Sequence, residues 1–282
     1  MADLGGAPFE AGTAPVLRGE AAGEGPPVVL CHGVTATRGQ IVHGSKVLPR
    51  EGHLTVAFDA RGHGESDPAP DGSYGYPEMV GDLEEVIAAT AGSGPCVLAG
   101  HSMGAHTVVA HALEHEGDVA GLVLIGPVYS GVVSDEVLAD WDDLAVALEE
   151  GGVDGFVREI DSRGLDPRWR DSVLRFTRER MEAHRHPDAV AAAIRAVPRS
   201  RPFESMSELE FLDVPALVVA SHDVADPGHP YAVAEDYAGR LPQGRLISEE
   251  EGESPLAWQG GKLSREIAAF AEEPAVRERL AG

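Results

Sequence analysis

The sequence predicts an α/β fold: a mainly parallel sheet covered by helices on both faces, with a helical segment inserted before the last two strands. Three observations carry this. Short apolar runs alternate with stretches of helical periodicity, as in a sheet whose strands are joined by crossover helices. A serine flanked by glycines, in Gly100-His101-Ser102-Met103-Gly104, stands where an apolar run turns into a helical one. Between residues 126 and 213 the alternation stops and only helical spacing remains.

Taken in order, residues 1–25 are rich in Gly, Ala and Pro and promise only short edge strands, around 16–19. Pro26-Pro27 opens a buried strand at 28–31 that ends at His32-Gly33. A helix is expected over 39–50, a strand over 54–58, and then the polar turn Asp59-Ala60-Arg61-Gly62-His63-Gly64-Glu65-Ser66. Met79, Leu83, Val86 and Ile87 have helical spacing within a helix predicted over 77–90, where Pro77 is tolerated in the first turn. The serine strand, 96–99, and its helix, 106–116, precede an apolar strand at 119–125. The helical segment follows, punctuated by Gly151-Gly152, Asp166-Pro167 and Pro198. Strands at 216–220 and 245–248 and helices at 231–240 and 263–271 complete the chain.

Length and composition narrow the function. A chain of 282 residues buries a full core. Acidic residues number 47 against 22 Lys and Arg, a formal charge of −25, so the surface repels nucleic acid and anionic membranes. No apolar run approaches membrane-spanning length and the N-terminus has no basic-then-apolar pattern, so a cytoplasmic location is expected. Cys31 and Cys96 sit on separate strands. If those strands are parallel neighbours, the thiols are offset by about three residues, roughly 10 Å, and remain reduced.

The serine corner carries the chemistry. Glycines two residues either side of Ser102 permit close backbone approach and push its hydroxyl out at the top of the sheet. Together with His32-Gly33, the Asp59 to Ser66 turn and the helical insertion before the last two strands, this sequence resembles the α/β-hydrolase superfamily over residues 26–272. The resemblance implies a core of residues 1–127 and 206–282 and a helical lid of 128–205, inserted after the sixth strand. It implies Ser102 as nucleophile, with the backbone N–H groups of Met103 and Val34 as oxyanion donors. His32, Asp59, Arg61 and His63 are expected to hold loops, His101 to pack beside the strand, and His106 to be a buried or capping residue rather than a base. Val128, Tyr129, Trp141, Phe156 and Trp169 are expected to line an apolar pocket.

The acid of a catalytic triad should follow the next-to-last strand, where Asp223 and Asp226 compete; Asp226, with Pro230 four residues on, fits the family spacing. The triad histidine should follow the last strand, but that loop reads Glu249-Glu250-Glu251-Gly252-Glu253, and no histidine occurs after His229. A serine without a positioned base is a poor nucleophile. Three readings stay open: a base supplied by His222 or His229; Glu253 as base, its carboxyl raised by Asp226 and the other glutamates; or a pocket that binds a ligand, or runs cofactor-free chemistry such as a lyase reaction, without Ser102. The expected function is hydrolysis of a small neutral ester, thioester or amide, with no cofactor and no metal. His184 with His186, and His222 with Asp223, lack a recognised ligand spacing.

Overall fold

In the computed structural model, residues 4–70, 72–131, 133–222, 224 and 226–282 are described. An edge hairpin, β1 (Ala7–Ala11) and β2 (Leu17–Ala22), precedes β3 (Pro27–Cys31), the short helix α1 (Val47–Arg50), β4 (Leu54–Phe58) and α2 (Tyr76–Thr90). Next come β5 (Cys96–His101), α3 (Met103–Glu114) and β6 (Val119–Ile125). Three helices follow without an intervening strand: α4 (Asp135–Ser162), α5 (Arg170–Met181) and α6 (Pro187–Ala196). The chain ends with β7 (Ala216–Val219), α7 (Tyr231–Arg240), β8 (Gly244–Ile247), α8 (Gly260–Ala271) and α9 (Pro274–Leu280).

The eight strands form one sheet in the order β1-β2-β4-β3-β5-β6-β7-β8. Pairing is antiparallel for β1 with β2 and for β2 with β4, and parallel from β4 to β8. Alternation along the strands sorts residues to the two faces. Val29, Leu98, Leu122 and Leu124 join Leu83, Val108 and Tyr237 of α2, α3 and α7 on one face. Val28, Leu30, Val97 and Val123 join Leu48, Leu263, Phe270 and Val276 of α1, α8 and α9 on the other. A third apolar cluster, with Leu144 and Phe156 of α4 and Val190 and Ile194 of α6, packs on Val34 and Met103. The helical segment is thereby seated over the C-terminal edge of the sheet.

Two element predictions needed correction. Residues 39–50 are not one helix: a single tight turn, Arg38–Gln40, and the four-residue α1 flank a break where His43 and Gly44 have φ of 48° and 68°. Left-handed backbone ends a right-handed helix. The serine helix begins at Met103, three residues earlier than expected, because the turn is a single residue. Strand β1 and helix α9 were not anticipated. As predicted, Gly151-Gly152 interrupts α4, with Gly152 at φ 59°. Both cysteines are buried and free, and Cys31 pairs in register with Gly100, four positions from Cys96. No helix among the described residues is long and apolar enough to cross a membrane.

Candidate active site

Ser102 is the one residue between β5 and α3, and it holds φ 51° and ψ −113°. A non-glycine residue in that region is strained by about 1–3 kcal/mol. The surroundings over-determine it: the Ser102 N–H donates to the Ile125 carbonyl at 2.9 Å, and its own carbonyl accepts from His106 N–H at 3.1 Å. Both flanking glycines are needed sterically. A Cβ on Gly100 would lie 2.2 Å from the Gly104 backbone, and one on Gly104 would lie 2.1 Å from the Cys31 carbonyl oxygen.

The turn after β3 lies beside this corner. A Cβ on Gly33 would fall 3.4 Å from that of Ser102, and Ala36 N–H donates to Gly33 O at 2.9 Å, closing a turn over Val34 and Thr35. Three histidines hold the turn. His32 Nε2 accepts from Ala60 N–H at 2.9 Å, so its Nδ1–H donates to Gly33 O at 2.8 Å. The His63 ring lies between the carbonyls of Val34, 2.6 Å from Nε2, and Arg61, 2.9 Å from Nδ1. His184, from the connection between α5 and α6, accepts from Gly64 N–H at 2.9 Å and donates to Thr35 O at 3.2 Å. The Asp59 turn is internally bonded as well. Asp59, fully buried, meets the Arg38 guanidinium and accepts from Arg38 N–H at 2.8 Å and Glu65 N–H at 3.0 Å. Arg61 forms a paired contact with Asp82 at 2.7 and 2.8 Å.

Asp226 and His229 meet on the connection between β7 and α7. His229 Nδ1 lies 2.9 and 3.0 Å from the two carboxylate oxygens of Asp226. The His229 ring rests over Gly126, where a Cβ would sit 3.1 Å away, and its centroid is 4.8 Å from that of His101, the residue before Ser102. Burial alone would raise the Asp226 carboxyl, but His229, His101 and Arg180 hold it below the ordinary range, so it is ionised at neutral pH. Burial, with the neighbouring His229, pushes His101 down to about 3. Among the described residues, Ser102 Oγ makes no hydrogen bond to an imidazole.

The other candidates lie elsewhere. His106 is committed, with Tyr76 Oη 2.9 Å from Nδ1 and the N–H groups of Val128 and Tyr129 both donating to Nε2 at 3.0 Å. His222 stacks on Tyr231, and its N–H donates to Glu249 at 2.7 Å. Glu249, not singled out in the sequence, is 3 % exposed and also accepts from Leu256 N–H at 3.2 Å. That anchoring throws residues 250–254 outward. Glu253 is 53 % exposed at its side chain and faces Lys262 at 3.8 Å. Asp223 lies outside the described residues.

A cavity opens beside the corner, lined by Gly33, His101, Asp226 and His229, with Gln40, His43, Phe176, Arg180 and Trp258. Phe176 and Trp258 stack with centroids 6.3 Å apart. They supply the aromatic wall expected of Val128, Tyr129, Trp141, Phe156 and Trp169, none of which lines this cavity; Tyr129 packs into one apolar cluster, and Phe156 and Trp141 into another. Arg180 of α5 is the residue sequence reasoning missed. Its Nε is buried without a hydrogen-bond partner among the described residues, and burial lowers the guanidinium to about 10 despite the attraction of Asp226.

Residues 26–148 match the family described as serine aminopeptidase, S33. Over 101 residues the chain is 36 % identical to an sn-1-specific diacylglycerol lipase of Mus musculus, covering 36 % of this chain and 32 % of that protein. Over 103 residues it is 32 % identical to a monoacylglycerol lipase of Mycolicibacterium smegmatis, covering 36 % and 37 %. The chain thus matches about a third of the length of these curated relatives. A thermophilic esterase from Thermogutta terrifontis, solved with malate bound, superposes with a TM-score of 0.79 at 24 % identity, over 97 % of this chain and 99 % of the other. An eight-stranded, mostly parallel sheet, a strand–serine–helix corner and this superposition show that the chain has the α/β-hydrolase fold.

Proposed function

We propose that the protein is a serine hydrolase that cleaves small esters, with Ser102 as nucleophile and His229 and Asp226 as its base and acid. The observation that carries this reading is the Asp226–His229 pair, 2.9 Å apart and packed against His101 next to Ser102. It supplies a charge-stabilised imidazole from the connection after β7, where the loop after β8 offers only glutamates. In the reaction, Ser102 Oγ attacks the ester carbonyl as His229 Nε2 takes its proton. Asp226 holds the other ring nitrogen and stabilises the imidazolium. Negative charge on the former carbonyl oxygen is met by the backbone N–H groups of Val34 and Met103, the latter the first residue of α3. The imidazolium then protonates the departing alcohol, and water, activated by the same base, releases the acid. This mechanism requires Oγ and Nε2 to be within hydrogen-bond reach in the substrate complex.

Arg180 bears on the substrate. A buried guanidinium in the cavity wall favours a substrate with its own carboxylate, and malate, bound in the structure of the Thermogutta terrifontis esterase, is such an anion. This modifies the expected neutral substrate. The helical segment that carries Arg180 acts as the lid over the cavity.

A fluorophosphonate probe should label Ser102, and p-nitrophenyl acetate should be hydrolysed. Ser102→Ala should abolish both. His229→Ala should lower kcat by about 10³-fold or more, while Glu253→Gln should leave kcat unchanged. Labelling retained in full by His229→Ala would overturn its role as base, and a folded protein that is never labelled would overturn the hydrolase reading in favour of ligand binding. For specificity, Arg180→Met should lower kcat/KM for the p-nitrophenyl monoester of succinate about tenfold relative to p-nitrophenyl acetate. Equal losses on the two substrates would reject a carboxylate contact.

A further inference from the structure

Away from the serine corner, α2 and α3 bring three ligating side chains together. His111 of α3 and His115, the residue that caps it, are four positions apart and so share one face of the helix. Their ring centroids are 5.1 Å apart. Glu84 of α2 reaches the same place, its Oε1 2.8 Å from His115 Nε2. One ligand atom from each of the three lies within 4.8 Å of the others.

An independent observation points to a ligand there. His111 is 3 % exposed, yet neither of its ring nitrogens has a hydrogen-bond partner among the described residues. Buried polar atoms without a partner are rare and call for a physical account. A neutral imidazole nitrogen without a partner keeps a lone pair to donate to a metal ion. His115 and Glu84 are 39 % and 46 % exposed at their side chains, which leaves both room to turn and an approach from solvent.

We infer that Glu84, His111 and His115 form a binding site for a divalent transition cation of the Zn²⁺ type, held by two imidazole nitrogens and one carboxylate oxygen with an open position for water. Imidazole nitrogens select such ions over Mg²⁺ and Ca²⁺, which prefer oxygen. The ligand atoms have only to draw in to about 2.0–2.2 Å from a common centre. One His111 nitrogen would thereby gain its missing partner. The site lies nine residues along α3 from Ser102, about 14 Å down the helix axis. It therefore clamps α2 to α3 rather than opening on the cavity.

Untagged protein stripped with chelator and titrated calorimetrically with ZnCl₂ should bind one ion, and the melting temperature should rise with ZnCl₂ but not with MgCl₂. His115→Ala, Glu84→Gln and His111→Leu should each weaken binding tenfold or more and remove the thermal shift. His115→Ala and Glu84→Gln alter half-exposed side chains, so they carry the test if His111→Leu does not fold. Zn²⁺ binding of equal affinity in these variants, or no heat and no shift with the parent protein, would overturn the assignment.

Discussion

Ser102 pays for its position in backbone strain. Its φ of 51° and ψ of −113° lie where only glycine is at ease, and the hydrogen bonds from Ser102 to Ile125 and from His106 to Ser102 keep it there. Ser102→Gly should therefore abolish labelling by a fluorophosphonate while raising stability by about 1 kcal/mol, read as a higher urea midpoint. A lowered midpoint would mean that the side chain, not the backbone, decides the balance at this site. His229 shows a different residue-scale effect. Its residue type and its spacing from Asp226 are plain in the sequence, but not that its ring lies over Gly126, where a Cβ would crowd it at 3.1 Å. The sequence could name His229 only as one candidate among several. Nothing local distinguished it from His222, which is held away by Glu249 and Tyr231.

At the scale of elements, the corner depends on how closely α3 approaches the strand beside it. Gly104 sits against the Cys31 carbonyl, in β3, and an added Cβ would lie 2.1 Å from that oxygen. Since the obstacle is backbone in the central strands, it cannot move aside. Gly104→Ala should cost about 3 kcal/mol or more, seen as a large drop in melting temperature or loss of soluble protein; a change below about 0.5 kcal/mol would show that α3 shifts freely. The helical segment is tied to the turn after β3 through His184, which bridges Gly64 and Thr35. That tie was not legible, because His184 is 120 residues from Gly64 in the chain and its sequence surroundings are polar. Arg180 escaped notice for a related reason. Arg170, Arg175, Arg178 and Arg180 crowd α5 and read as a solvated face, yet Arg180 turns inward to the cavity.

For the whole molecule, the buried histidines set a dependence on pH. Burial pushes His101, His106 and His184 down to about 3 and His111 to about 4. In the unfolded chain the same groups take up protons near pH 6.5. Between these limits the unfolded state binds more protons than the folded one, so stability falls as pH falls. Each group contributes up to about 1.4 kcal/mol per pH unit across its window. The urea midpoint should drop steeply from pH 6.5 to 4.5 and level off above pH 7.5. A midpoint flat between pH 7 and 5 would contradict the neutral, buried state of these rings.

By itself the sequence determined the parallel sheet, the order of its later strands and helices, the serine corner and the helical segment before β7. Those features rest on local signals: period-two and helical spacing, glycines around a serine, and turn residues at the breaks. It also determined that the loop after β8 carries no histidine. Only the tertiary structure decided how that loop and the residues near the corner are held. Glu249 is drawn inside by the N–H groups of His222 and Leu256, which turns Glu253 out to Lys262. Asp226 and His229 meet, with the His229 ring against His101, and Arg180 is carried into the cavity from a distant helix. Each of these outcomes depends on which long-range neighbour satisfies a buried polar group, and that is fixed by packing across the sheet rather than by the residues on either side.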